Sequence, residues 1–206
     1  ARSKKIDKLL VATDSKKIFA CVLGFGGTAV MTSPTHATGS DRIWEVAEAF
    51  PGHELILNIQ GDEPFVNERV VDELIQPFLT DPTCLMSTLR KKITTGEEKT
   101  NPNIVKVVCD RQGRALYFSR ASLPYDRDGK NPEMHRHIGL YGYRRDFLNR
   151  YRNLKQTPLE LAESLEQLRV LENGVAIHVV ETNEETVDVN APEDLLRAEK
   201  MLAKKK

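Results

Sequence analysis

The apolar positions of this chain change period several times, and those changes divide it into elements. In KIDKLLVATD the run Leu9–Ala12 is short and apolar and stops at Thr13-Asp14, which predicts a brief buried strand. SKKIFACVLGFGG then sets Ile18, Val22 and Phe25 at helical spacing before a glycine stop, and TAVMTS reads as the next strand. In SDRIWEVAEAF, Ile43, Val46, Ala47 and Phe50 fall at i, i+3, i+4 and i+7, with Ser40 placed as an N-cap. ELILNIQ is the most apolar strand, and NERVVDELIQPFL is an amphipathic helix. Strand and helix therefore alternate over the first eighty residues, which predicts a mostly parallel α/β sheet with helices on both faces.

Beyond residue 84 the pattern shifts. IVKVVCDRQGRALYFSR reads as two strands joined by a turn at Asp110–Gly113. HRHIGLYGYRRDFLNRY begins as a strand and becomes a helix. TPLELAESLEQLRVLENG predicts a single strong helix, with Thr157 as cap, Pro158 in the first position and Asn173-Gly174 as the stop. VAIHVVET is a further strand. NAPEDLLRAEKMLAKKK is a final helix, with Asn190 as N-cap and Glu193 three residues on. The expected organisation is one domain over residues 1–206, with a hairpin-containing insert at about 84–150.

Composition narrows the function classes. Lysine plus arginine equals aspartate plus glutamate at 30 each, so no basic excess favours nucleic acid. Three scattered cysteines, Cys21, Cys84 and Cys109, make no C-x-x-C pair and suit a reducing compartment. No apolar run reaches the roughly 18 residues of a membrane span, and no signal-peptide pattern opens the chain, so a cytoplasmic protein is expected.

Several motifs carry chemistry. In LILNIQGDEPF an apolar strand ends in Gln60-Gly61 and then in two carboxylates, Asp62 and Glu63. Strand ends can simply stop at Gly, Asp and Pro, but the carboxyl end of an α/β strand is also where ligands and divalent cations are met. In THATGSDRIWEV, Arg42 falls in the first helical turn, where the helix dipole disfavours a cation. A bound anion or base carbonyl would reward it, and so would an ion pair with Asp41 or Glu45. LYFSR sets Arg120 near a strand end, suited to a carboxylate or phosphate, or to a surface ion pair. His135 and His137 share one strand face, a spacing open to metal binding, structural hydrogen bonds or substrate contact. Glu160, Glu163 and Gln167 share one helical stripe, which is usually a solvated face. GFGG follows a helix rather than a strand, so it reads as a helix stop and not as a dinucleotide fingerprint.

Together VATD, HATGSDR, NIQGDEPF, NPNIVKVV, ALYFSRASLPYDRD, HRHIGLYGYRRDFL and TPLELAESLEQLRVLENG resemble, in this order, the 3-deoxy-manno-octulosonate cytidylyltransferase (CMP-Kdo synthetase) family. The resemblance implies a Rossmann-like nucleotidyltransferase sheet, a dimerisation role for the hairpin insert, and a homodimer. It implies Mg²⁺-dependent attack by the sugar acid Kdo on the α-phosphate of CTP, giving CMP-Kdo and pyrophosphate for lipopolysaccharide assembly. It places His36, Ser40, Arg42, Gln60 and Gly61 on the nucleotide side, and Arg120, His137, Glu163 and Gln167 on the sugar-acid side. Asp62, Arg120 and His137 form the catalytic set, with Asp62 and Asn190 as metal ligands. Two departures stand out. The family's phosphate loop, P-A-R-x-x-S-x-R-L-P-G-K, has no counterpart before KIDKLLVATD, so the chain is expected to begin after that loop. Asn190 also occupies a position where the family has aspartate. A transferase for another sugar acid, and a truncated homologue without turnover, are the alternatives.

Overall fold

The computed structural model describes residues 3–36, 38–185, 189, 196 and 198–200. It opens with strand β1 (Val11–Thr13), helix α1 (Lys16–Gly24) and strand β2 (Ala29–Met31), with β1 and β2 paired in parallel. The β1 strand starts later than the pattern predicts, and Leu9 lies outside it, 57% exposed. Ser15 caps α1 by accepting from the Ile18 N–H, and the GFGG stop forms as expected. Gly26 sits at φ +77°, its N–H donating to Leu23 O while that of Gly27 donates to Val22 O.

Helix α2 (Gly39–Ala49) follows, then β3 (Leu55–Asn58) and α3 (Glu68–Thr80). The cap of α2 is Thr38, not Ser40: its Oγ1 accepts from the Asp41 N–H at 3.2 Å, which moves Ser40 into the first turn and buries it. Asn67 caps α3 in the same way through Val70. The second half of the chain adds β4 (Met86–Lys92), α4 (Gly96–Thr100), β5 (Lys106–Cys109) and β6 (Ala115–Ser119). It continues with β7 (His135–Arg144), α5 (Arg145–Tyr151), α6 (Pro158–Glu163), α7 (Gln167–Glu172) and β8 (Ile177–Glu181). The final predicted helix, with Asn190 at its cap, falls largely outside the described residues.

The main sheet has six strands in the order β6-β5-β7-β4-β8, with β3 also on β7. β3, β4 and β8 run in one direction, as an α/β sheet predicts, and β4 and β8 pair in parallel. β7 runs between β3 and β4 in the opposite sense, so the pairs it makes with them are antiparallel. The stretch 84–150 thus supplies two inner strands, β4 and β7, and only the β5–β6 hairpin stands at the sheet edge. Its turn is the predicted one: Asp110 Oδ1 accepts from the Gln112 and Arg114 N–H groups, and Gly113 takes φ +76°.

The predicted helix over TPLELAESLEQLRVLENG is broken. Ser164 adopts the left-handed conformation (φ 53°, ψ 50°), ending α6 and turning the chain before α7. The largest core cluster joins Trp44 of α2, Phe118 of β6, Phe147 and Tyr151 of α5 and Leu168 of α7. A second cluster packs Val70 and Leu74 of α3 on Leu89, Ile138 and Leu140 of the sheet.

Candidate active site

The site follows from a divergence in strand pairing. β7 carries β5 against His135 and Arg136, and β3 against Tyr141–Arg144. Between these two partners the strand is open, and the open residue is Gly139. A Cβ there would stand 4.0 Å from Gln60 Nε2, just past the end of β3. Ligand crevices in α/β sheets form where strands part in this way. A cleft of about 280 Å³ occupies the gap, lined by Gly39, Ser40, Asn58, Gln60, Tyr141, Ser164, Leu165, Glu166 and Gln167.

Three family-like motifs meet there. The start of α2 lies beside the end of β3: a Cβ on Gly39 would be 3.8 Å from Asn58 Nδ2. The first-turn N–H groups of α2 provide positive potential at the mouth. Ser40 donates its hydroxyl to Glu166 Oε2 at 3.0 Å, joining the α2 start to the α6–α7 elbow. Burial pushes the Glu166 carboxyl above the usual range, against the Ser40 hydrogen bond and the Arg169 charge. Gln167 is 3% exposed, and its Nε2 has no acceptor among the described residues. A buried amide donor without a partner is costly unless a ligand supplies the acceptor.

The elbow is held from behind. Glu160 and Arg169, both buried, form a two-pronged ion pair, with Arg169 Nε donating to Glu160 Oε2 at 2.7 Å. The Arg169 guanidinium lies 5.4 Å above the Tyr151 ring, and the Tyr151 hydroxyl donates to Glu166 O at 3.0 Å. The Glu160, Glu163 and Gln167 stripe is therefore no solvated face, since Glu160 is 4% exposed.

Arg120 and Glu163 are brought together, but largely for each other. Glu163 accepts from the Ser119 hydroxyl at 2.7 Å and from the Arg120 N–H at 2.9 Å. The Arg120 guanidinium donates to the carbonyls of Glu163, Pro102 and Ser164. It pins the elbow to the end of β6 and retains further N–H groups for a ligand. The buried Lys106 ammonium adds a support beneath, donating to the carbonyls of Asn101, Ile104 and Arg120. His137 bonds Thr88 and lies edge-on to Phe118, and the protein around it pulls its pKa down to about 3 by burial. His135 sits apart, 3.2 Å from Glu181.

Of the residues expected to meet a nucleotide, Arg42 pairs with Asp14 at 2.9 Å and with the Thr32 hydroxyl, not with Asp41 or Glu45. It ties the ends of β1 and β2 to α2, and its hydrogen bond holds the Asp14 carboxyl below the usual range. His36 bonds Glu45. A larger hollow of about 480 Å³ beside His36 is lined by the carboxylates Asp41, Glu45 and Glu48 together with Trp44, Arg152 and Asn153, so acids outnumber cations there.

At the turn after β3, Glu63 N–H closes onto Gln60 O, and Gly61 lies exposed between. Asp62 is half-buried, and its carboxylate has no hydrogen bond or ion pair among the described residues. Such an uncompensated carboxylate suits a hard divalent cation. The Val189 N–H reaches Asp62 O at 2.8 Å, so Val189 is tied to this turn, and Asn190 itself is outside the described residues.

Comparison with known proteins identifies the family. A family profile described as cytidylyltransferase matches residues 1–182. The 3-deoxy-manno-octulosonate cytidylyltransferase of Fusobacterium nucleatum is 47% identical over 95% of this chain and 80% of its own length. The enzyme of that name from Geobacter sulfurreducens is 46% identical over 100% of this chain and 85% of its own. The chain belongs to the 3-deoxy-manno-octulosonate cytidylyltransferase family. A solved CMP:2-keto-3-deoxy-manno-octonic acid synthetase complexed with CTP superposes with a TM-score of 0.94 at 36% identity, covering 100% of this chain and 84% of that one. A 4-diphosphocytidyl-2C-methyl-D-erythritol synthase from Anaerococcus prevotii shares the fold alone, at a TM-score of 0.63 and 15% identity.

Sequence reasoning for this family member missed Asn58, Tyr141, Ser164 and Glu166 as cleft residues. A signal for Glu166 existed: LEQLRVLE places it among leucines, where a carboxylate needs a buried partner. Tyr141 gave no such signal, because its pattern is that of any buried strand residue.

Proposed function

We propose that this chain couples CTP to the sugar acid Kdo, releasing pyrophosphate and forming CMP-Kdo in the cytoplasm for lipopolysaccharide assembly. The observation that carries the reading is one cleft that collects Ser40, Gln60, Glu166 and Gln167 from three separate motifs. The first turn of α2, with Ser40, Asn58 and Gln60, binds the cytidine side through N–H and amide groups. Gln167, His137 and the free N–H groups of Arg120 bind the sugar acid, the guanidinium matching a carboxylate. Asp62, with position 190, would hold Mg²⁺, which when bound offsets the charge of the triphosphate. The residues themselves orient the anomeric hydroxyl toward the α-phosphate and exclude water. Exposed Leu116 on the edge strand β6 and exposed Tyr125 support a homodimer built on the hairpin region. Among the described residues no helix is long and apolar enough to cross a membrane.

Calorimetry with CTP and Mg²⁺, and pyrophosphate release on adding Kdo, test the reading. Turnover with Kdo and none with sialic acid is expected. Absence of both CTP binding and Kdo-dependent pyrophosphate would refute it.

A further inference from the structure

Thr88 lies fully buried on β4, where its ladder with β7 slips. Thr88 pairs with Tyr141 and Leu89 with Ile138, so Gly139 and Leu140 form a bulge opposite them. Its Oγ1 stands 2.8 Å from Leu140 O, 3.1 Å from Ile138 O and 2.9 Å from His137 Nε2. A hydroxyl has one proton to give and lone pairs to receive. The two carbonyls can only accept, and in a buried bulge they need a donor. The Thr88 proton goes to them, so its contact with the imidazole must be one in which the oxygen accepts. The donor is then His137 Nε2–H. A neutral imidazole carries one N–H, which leaves Nδ1 as a bare acceptor. That atom has no hydrogen bond among the described residues, and the ring centroid is 5.5 Å from that of Tyr141, which lines the cleft.

We propose that Thr88 is a positioning residue that fixes His137 as the Nε2–H tautomer and so offers Nδ1 as an acceptor for a hydroxyl of the sugar acid. This rests on His137 being a sugar-acid contact, as read above. The same hydroxyl braces the bulge that opens the cleft, so one buried side chain sets both the gap in β7 and the hydrogen-bonding sense of the ring beside it.

Two-bond ¹H–¹⁵N imidazole spectra of the unsubstituted protein test the tautomer directly, independent of whether any variant folds. A protonated Nε2 and a bare Nδ1 on His137 are expected, and a protonated Nδ1 would overturn the proposal. In Thr88→Val the pattern should average between tautomers, and in Thr88→Ser it should return. Thr88→Val should raise the half-saturating Kdo concentration about tenfold, the scale of one lost hydrogen bond, with CTP half-saturation within about twofold. Thr88→Ser should restore it. An unchanged tautomer in Thr88→Val would overturn the proposal. A scrambled tautomer with unaltered half-saturation for both substrates would uphold the lock and remove His137 from the sugar-acid site.

Discussion

Replacing Glu160 with glutamine isolates the buried ion pair behind the cleft. The substitution keeps size and removes one charge, leaving the Arg169 guanidinium, 6% exposed, without its paired carboxylate and with only the weaker field of Glu166 to offset it. Its other contacts, Leu154 O at 3.3 Å and the Tyr151 ring, cannot replace a carboxylate. Breaking one side of such a pair costs about 3–5 kcal/mol, since the remaining charge stays desolvated. For a chain of this size that corresponds to a fall in Tm of roughly 6–20 °C. Urea unfolding should show the loss as a lower midpoint at unchanged slope. Burial alone would push the Glu160 carboxyl up, but the Arg169 hydrogen bonds and the Thr157 N–H outweigh it and hold it below its ordinary 4.5. A depressed folded pKa stabilises above the unfolded value and loses that contribution as pH falls through the folded value. The unsubstituted chain should therefore lose part of its stability on that acid limb, and Glu160→Gln should lack this component. Pairing Glu160→Leu with Arg169→Met should recover stability to within about 1 kcal/mol of the parent, because apolar packing replaces both charges. A cost below about 1 kcal/mol for Glu160→Gln would refute the argument that this pair is desolvated.

Three further outcomes are expected. Asp62→Asn should cut metal-dependent pyrophosphate release by roughly two orders of magnitude or more while far-UV circular dichroism is unchanged, since it removes a charge that none of the described residues pairs; near-parental turnover would take Asp62 out of the metal role. Arg120→Ala should raise the Kdo requirement at least about tenfold and the CTP requirement less than about twofold, with a modest loss of stability from the freed elbow carbonyls; equal changes for both substrates in steady-state kinetics would mark Arg120 as purely structural. Gly142→Ala should cost about 1–3 kcal/mol by overpacking, because its Cβ would meet Ser87 Oγ at 2.6 Å and the Phe78 ring at 2.7 Å; parental stability in equilibrium unfolding would show that α3 yields there.

The hydrophobic pattern was enough for α2, α3, the β5–β6 hairpin and the strand-to-helix passage of β7 into α5, where the apolar period matches the element. It missed β4, an inner strand, because MSTLRKK is half polar. Ser87 and Thr88 are both fully buried there, and both are satisfied by backbone carbonyls: Ser87 by Leu74 O, and Thr88 by those of the bulge. Such partners come from tertiary structure and leave no local signal. Ser40 was misplaced by two residues because Thr38 and Ser40 are equally good caps by chemistry, and only the buried contact with Glu166 decides between them. Of the candidate site, the residues at element ends, Gln60, Asp62 and Arg120, could be found from punctuation. Inside helical periodicity, Glu166 carried only the hint of a carboxylate among leucines, and its place in the cleft comes from the fold.

The break at Ser164 explains why that periodicity misleads. A continuous helix from Pro158 would keep Glu160, Glu163 and Gln167 on one stripe, facing one neighbour. In the folded chain each has a different one: Glu160 pairs with Arg169, Glu163 with the end of β6, and Gln167 lines the cleft. A single left-handed residue makes this possible, and a non-glycine residue held there costs on the order of 1–2 kcal/mol. The strain is offset where the elbow is clamped from both sides: Arg120 donates to Glu163 O and Ser164 O, and Arg169 anchors the helix that follows. Those clamps belong to the same motifs that supply the cleft. It follows that Ser164→Gly, which removes the strain without touching a clamp, should leave the cleft formed, whereas loss of either clamp should open it.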